Sequence, residues 1–150
     1  MPPIEVAAGV LLDADRILVT LRRPQDHLGG LWEFPGGKKE PHETVPQALV
    51  RELREELGIE VVVGARWGTL LHRYPEREVR LHLYFARIVA GTPHPHEAEE
   101  LRWVTVTELA ALPVPEADQP LVRDLVRCRR RGIPLSEARQ ANPGIREETA

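Results

Sequence analysis

A short amphipathic helix is the feature that most constrains this sequence. Its apolar positions repeat at helical spacing over residues 45–57. Thr44 stands before it as a candidate N-cap, and Gln47 three residues later completes a capping-box pattern. Gly58 supplies the C-terminal stop, because glycine readily takes the left-handed conformation that ends helices. We therefore predict a helix with well-defined ends that packs its leucine face onto the protein body.

Three glutamates share the neighbouring face of this helix. Glu52, Glu55 and Glu56 are spaced i, i+3 and i+4, which brings their carboxylates together. Such crowding costs a few tenths of a kcal/mol per pair, on the order of 0.2–0.5 kcal/mol, and a hard divalent cation offsets that cost. A solvated face balanced by Arg51 and Arg54 is the alternative interpretation. On the three acids alone, the solvated face is the better interpretation.

The residues on either side of the three glutamates favour the metal-binding interpretation over the solvated face. Residues 37–59 read GKKEPHETVPQALVRELREELGI and resemble the Nudix box, GX₅EX₇REUXEEXGU with U an aliphatic residue. The match holds at all nine specified positions: Gly37, Glu43, Arg51, Glu52, Leu53, Glu55, Glu56, Gly58 and Ile59. So many fixed spacings make the signal specific. The resemblance implies the Nudix fold, an α+β domain with a mixed β-sheet sandwiched between helices (α/β/α).

The resemblance also implies a metal site on this helix. Glu52 and Glu56 would bind a divalent cation, with Glu55 in the same cluster and the carbonyl of Gly36 joining them. Mg²⁺ is the expected cofactor, and Mn²⁺ is its substitute.

The remaining box positions have supporting roles by the same resemblance. Arg51 would hold Glu52 through a charge-assisted hydrogen bond. Glu43 would pair within the loop–helix–loop or reach the metal through water. Gly36 and Gly37 would let the loop backbone pass close to metal and phosphate, where a Cβ would intrude.

Beyond the box, residues 5–131 resemble the MutT-type branch, whose members sanitise nucleotide pools. The run LWEFPGG at residues 31–37 is typical of that branch. It places Phe34 beside the nucleobase, although core filling is an equal alternative. Arg22 and His27 would line the nucleotide site, and Arg77 would lie near the nucleoside. The alternatives are a surface loop residue for His27 and a solvated hairpin arginine for Arg77.

Two acidic residues outside the box complete the expected site. Glu97 precedes Trp103 by six residues, in a loop where MutT-type members carry a glutamate that binds metal or acts as base. Asp118 matches the residue that reads the base edge, where the 8-oxoguanine-specific archetype has asparagine. An aspartate only accepts hydrogen bonds while it is ionised, as the exocyclic amine of cytosine or the N1–H and N2–H of guanine would require. This departure from asparagine argues against a preference for 8-oxo-dGTP and makes a cytidine nucleotide the rival substrate. Capping of the last helix is the alternative role for Asp118.

The resemblance thus implies Mg²⁺-dependent hydrolysis of a (deoxy)nucleoside triphosphate to a monophosphate and pyrophosphate. Attack on the β-phosphorus is expected, with Glu52 or Glu97 taking the proton from water. The preferred base, 8-oxo-dGTP-like or cytidine-type, stays open. One alternative is a hydrolase of a nucleoside diphosphate derivative such as ADP-ribose, since Pro75 falls 16 residues after Ile59. A second is a non-catalytic nucleotide-binding module.

Apolar patterning predicts the other elements of a single domain over residues 1–132. A β-hairpin is expected at 6–12 and 17–21, a Pro- and Gly-rich loop at 24–37, and strands at 61–71, 79–85 and 101–106. A last helix runs from about 120 to 132. Residues 133–150 are polar and are expected to form a loosely attached tail.

Composition excludes several classes of partner. A net charge of −3 argues against nucleic-acid binding, and no apolar run is long enough to cross a membrane. Cys128 is the only cysteine, so no intrachain disulfide forms. The first residues show no signal-peptide pattern, and the expected compartment is the cytoplasm. A small nucleotide is the expected partner of a monomer or homodimer.

Overall fold

One mixed β-sheet organises the fold, and a computed structural model describes it for residues 1–134. Its strands are β1 (Ile4–Asp13), β2 (Arg16–Leu21), β3 (Trp32–Glu33), β4 (Gly36–Lys38), β5 (Glu60–Arg73), β6 (Glu78–Ala90) and β7 (Glu100–Thr105). The order is β3-β2-β1-β6-β5, with β4 paired to β1 and β7 paired to β2. The β1–β6 pair is parallel and the other pairs are antiparallel, so the sheet is mixed.

The first hairpin opens as it leaves its turn. β1 and β2 pair only at Leu12–Ile17 and Asp13–Arg16. Further from the turn, β1 pairs with β4 and β6, whereas β2 pairs with β3 and β7. This divergence places the glycine-containing strand β4 against β1.

Helices cover both faces of the sheet. Helix α1 (Val45–Leu57) packs on one face, and α2 (Val106–Ala110), a 3₁₀ turn (Glu116–Asp118) and α3 (Gln119–Arg130) cover the other. Side chains alternate along a strand, so β1 sends Ala7 and Leu11 into the α1 core and Ala8 and Val10 into the opposite core. This α/β/α arrangement confirms the predicted fold class.

Most of the predicted elements are confirmed. Thr44 and Gln47 form the reciprocal capping box of α1, and Gly58 ends the helix in the left-handed conformation at φ 69°. The predicted loop over 24–37, which the apolar group at 31–34 interrupts, contains β3 at that interruption, and β4 begins at its end and was not predicted. These strands are two and three residues long, and their stability comes from pairing with β1 and β2. Helix α2 was also missed.

The predicted tail lies, from residue 135 onward, outside the described residues. Within residues 1–134, no helix has the length and apolar character to cross a membrane.

We predict that Thr44→Ala lowers the free energy of unfolding by about 1 kcal/mol, because the Gln47 backbone N–H loses its acceptor. Urea denaturation measures the difference. Thr44→Ser keeps the hydroxyl and serves as the matched control, with stability close to wild type. Equal stability of the alanine and serine variants would contradict the assigned cap.

Candidate active site

The Arg51 guanidinium connects the loop before α1 to the acidic face of the helix. Its Nε and Nη2 donate to the Glu43 carboxylate at 3.0 and 2.6 Å, and Nη2 also donates to the Lys38 carbonyl at 3.0 Å. Its Nη1 donates to Glu52 at 3.0 Å and to Glu55 at 3.2 Å. Hydrogen bonds from Arg51, and then one from the Glu40 backbone N–H, lower the pKa of Glu43 to about 2. One cation thereby organises three carboxylates.

Glu52 fits against Gly37 in β4. A Cβ on Gly37 would overlap the Glu52 carboxyl group, so glycine leaves room for that group in its present position. The Glu52 side chain is 15% exposed. Burial raises the pKa of Glu52 against the opposing effect of Arg51, and the charges of Glu55 and Glu97 raise it further. A carboxylate is thus held at the junction of α1 and the glycine strand.

Glu56 is the most deeply placed acid of the helix. Its Oε2 accepts from the Gly36 backbone N–H and its Oε1 from the Thr20 hydroxyl, both at 3.3 Å. Burial, followed by the charge of Glu33, raises the pKa of Glu56 to about 8. Burial of a carboxyl group close to other carboxyl groups produces such a shift. This donor set therefore fits a hard cation that prefers carboxylate oxygens.

The predicted metal ligands do not all occupy equivalent positions. Glu52 and Glu56 face the junction with β4, whereas the Glu55 side chain is half exposed and bonded to Arg51. Glu97 is exposed, but its charge acts on Glu52.

A different acidic group has its ligand atoms already close together. Among residues 1–134, Glu40, His42 and Glu43 form the one group of three such side chains whose ligand atoms all lie within 4.8 Å. Arg51 already holds Glu43, and none of the three residues lines the cavity described next.

A cavity of about 550 Å³ lies on the other side of the glycine strand. Gly36 and Gly37 form part of its wall, so the cavity adjoins the carboxylates of α1. The cavity also contains all five predicted substrate-binding residues: Arg22, His27, Phe34, Arg77 and Asp118. Its volume is in the usual range of small-ligand sites.

Asp118 is buried at the inner end of this cavity. It precedes α3 but makes no side-chain capping hydrogen bond, so capping does not explain it. Burial, and then the charge of Glu33, raises the pKa of Asp118 well above 3.8, despite a hydrogen bond from the Phe34 backbone. The expected role of Asp118 as an acceptor while ionised stays a prediction, and a carboxyl that keeps its proton would both donate and accept.

Sequence reasoning missed three residues of this site. Glu33 lines the cavity, binds Arg22 Nε at 3.0 Å and raises the pKa of both Glu56 and Asp118. Thr20 holds Glu56, and the Tyr74 hydroxyl accepts from the Ala117 backbone N–H at 3.3 Å beside Asp118. Glu33 lies within LWEFPGG, so its place in that run was the available signal. Thr20 and Tyr74 gave none, because their contacts join distant segments.

Comparisons with known proteins found similar sequences and similar structures. The sequence pattern of the NUDIX domain matches residues 7–124. The chain is 40% identical to the CTP pyrophosphohydrolase of Escherichia coli over 129 residues, 86% of this chain and 96% of that protein. It is 32% identical to the 8-oxo-dGTP diphosphatase of the same organism over 128 residues, 85% and 99% of the two chains. The solution structure of the E. coli ORF135 protein superposes with a TM-score of 0.74 at 40% identity, covering 86% and 92%.

We predict that Glu43→Gln lowers the melting temperature at neutral pH, because Arg51 loses its strongest carboxylate partner. The pKa of Glu43 is depressed in the folded chain, so its contribution is full above its ordinary value of 4.5 and is lost as pH falls toward about 2. Melting curves across this range should show the gap between the variant and wild type closing. A gap that is constant with pH would contradict the ionic origin.

Proposed function

Because this chain belongs to the NUDIX domain family, we propose that it hydrolyses a nucleoside triphosphate to the monophosphate and pyrophosphate, as a nucleotide-pool sanitising enzyme. The relatives named CTP pyrophosphohydrolase and 8-oxo-dGTP diphosphatase support this class of substrate. The nucleoside occupies the cavity, and the polyphosphate extends over Gly36 and Gly37 toward α1.

One observation carries the proposal: the cavity and the acidic helix share the β4 wall. Gly36 and Gly37 line the cavity, while Glu52 lies against Gly37 and Glu56 accepts from the Gly36 N–H. A Cβ on Gly36 would overlap the Ala7 carbonyl oxygen. At Gly36 the wall of the cavity therefore consists of backbone alone. A ligand that fills the cavity can therefore place its phosphates beside the carboxylates.

The residues around the phosphates have distinct roles in the proposal. Glu52 and Glu56, with Glu97 from the facing loop and the Gly36 carbonyl, would hold Mg²⁺, and Mn²⁺ would substitute. When bound, the cation supplies charge neutralisation at the polyphosphate and makes water easier to deprotonate. Glu52 or Glu97 accepts the proton from the attacking water. Arg51 keeps Glu52 and Glu55 in place, and Arg22 lies where it can meet phosphate or sugar.

Asp118 lines the cavity and is the residue proposed to read the base, and its pKa is raised by burial and then by the charge of Glu33. A neutral carboxyl offers a C=O acceptor and an O–H donor side by side, as an amide does. That pair complements the N4 amine and N3 of cytosine, and it also complements N7–H and O6 of 8-oxoguanine. Asp118 thus supports both the cytidine-type and the 8-oxo-dGTP-like substrate.

The nucleotide is the proposed partner, with no nucleic acid or membrane. The cytoplasm remains the expected compartment, because that is where nucleotide pools turn over.

The activity is tested by pyrophosphate release from canonical and oxidised nucleoside triphosphates with Mg²⁺, with ADP-ribose in the panel. We expect Glu52→Gln to lower kcat at least about 100-fold on the preferred triphosphate. Glu60→Gln is the matched control, because Glu60 pairs with Arg54 on the surface, and it should keep wild-type turnover. Turnover of ADP-ribose alone would replace the triphosphatase with the rival hydrolase. No turnover of any compound would favour a binding module.

Base recognition is tested at Asp118. We expect Asp118→Asn to keep kcat/KM on the preferred nucleotide within about ten-fold, because asparagine retains one donor and one acceptor. Asp118→Ala leaves base groups unpaired and should lose about 5- to 150-fold, equivalent to about 1–3 kcal/mol. Equal losses in the two variants would mean that Asp118 acts as an ionised acceptor.

A further inference from the structure

The loop that carries Glu97 is docked on the C-terminal end of α1. The His94 backbone N–H donates to the Leu57 carbonyl at 3.0 Å, and the His96 N–H donates to the Glu56 carbonyl at 2.9 Å. Both carbonyls belong to the last turn of the helix, where no intrahelical donor is available. The loop therefore completes the hydrogen bonding of the helix that supplies Glu52 and Glu56.

Gly58 lies at the contact between the loop and the C-terminal end of α1. It takes the left-handed conformation at φ 69°, and a Cβ there would lie 2.8 Å from the His96 imidazole. A larger residue would have to displace the His96 side chain, and its backbone would be strained in the left-handed conformation. Gly58 thus ends α1 at the point where the loop contacts the helix.

Arg23 holds the loop from the opposite side. Its Nη2 donates to the His96 carbonyl at 3.0 Å, across 73 residues of sequence. The Glu99 backbone N–H donates to the Leu21 carbonyl at 2.9 Å, so the segment just after Glu97 is fixed to the end of β2. Glu97 is therefore bracketed by residues bonded to α1, β2 and Arg23.

We infer that Arg23 is a positioning residue that acts through His96 to hold Glu97 beside Glu52 for cation binding. This inference rests on the proposed function, because it takes Glu97 as a ligand of the cation. Arg23 itself touches neither the α1 carboxylates nor the walls of the cavity. The Arg23 guanidinium donates to the His96 carbonyl, and the next residue, Glu97, supplies the carboxylate.

The test measures Mn²⁺ affinity of the whole chain with a non-hydrolysable nucleoside triphosphate, by paramagnetic resonance of the free ion. Loss of a supporting partner of a metal ligand typically weakens binding about 10- to 100-fold, and we expect at least about ten-fold for Arg23→Met. Amide hydrogen exchange at His96 should accelerate in the same variant. Arg23→Lys retains a donor and should recover much of the affinity.

Two controls make the result specific. Arg127→Met removes an equal charge from α3, where Arg127 pairs with Asp124, and it should leave Mn²⁺ affinity unchanged. In a Glu97→Gln background, Arg23→Met should cause no further loss, because its effect passes through Glu97. An equal loss in that background, or wild-type affinity of Arg23→Met, would overturn the inference.

The inference and the proposed function fail in different ways. If Glu52→Gln leaves Mn²⁺ affinity unchanged, the cation site on α1 is wrong and the proposed function falls. If affinity depends on Glu52 and Glu97 but not on Arg23, only the positioning role of Arg23 is wrong.

Discussion

The crowding of carboxyl groups around the start of β4 is the constraint on which the rest of the site depends. Burial raises the pKa of all three carboxyl groups, Glu33, Glu52 and Glu56, and the charges of Glu33 and Glu52 raise the pKa of Glu56 further. Folding tolerates this arrangement because Arg51 binds Glu52 from one side, and because Thr20 and the Gly36 backbone bind Glu56. The folded chain thus carries an unfavourable electrostatic free energy, and a bound divalent cation would reduce it.

The fold brings this acidic cluster to a nucleoside-sized space. β1 and β2 separate soon after their turn, and the glycines of β4 occupy the position that opens beside β1. Because Gly36 and Gly37 have no side chains, the cavity and the α1 carboxylates are separated only by backbone. The topology of the sheet therefore determines the distance between the cavity and the α1 carboxylates.

Local sequence signals predicted what depends on local physics. The bounds of α1, its capping box and its left-handed end followed from neighbouring residues, and so did the shared face of its glutamates. Contacts between distant segments could not be predicted from neighbouring residues. Thr20 on Glu56 and Arg23 on His96 join residues 36 and 73 positions apart. The raised pKa of Asp118 comes from burial and then from the charge of Glu33, which no local pattern reveals.

The most direct test of the account is the position of the metal and the base in a crystal of the chain with Mn²⁺ and a non-hydrolysable cytidine triphosphate. We expect an anomalous manganese peak in contact with the carboxylates of Glu52 and Glu56, with the base in the cavity against Asp118. A peak at the alternative acidic group of Glu40, His42 and Glu43 would contradict it. So would a base bound outside the cavity.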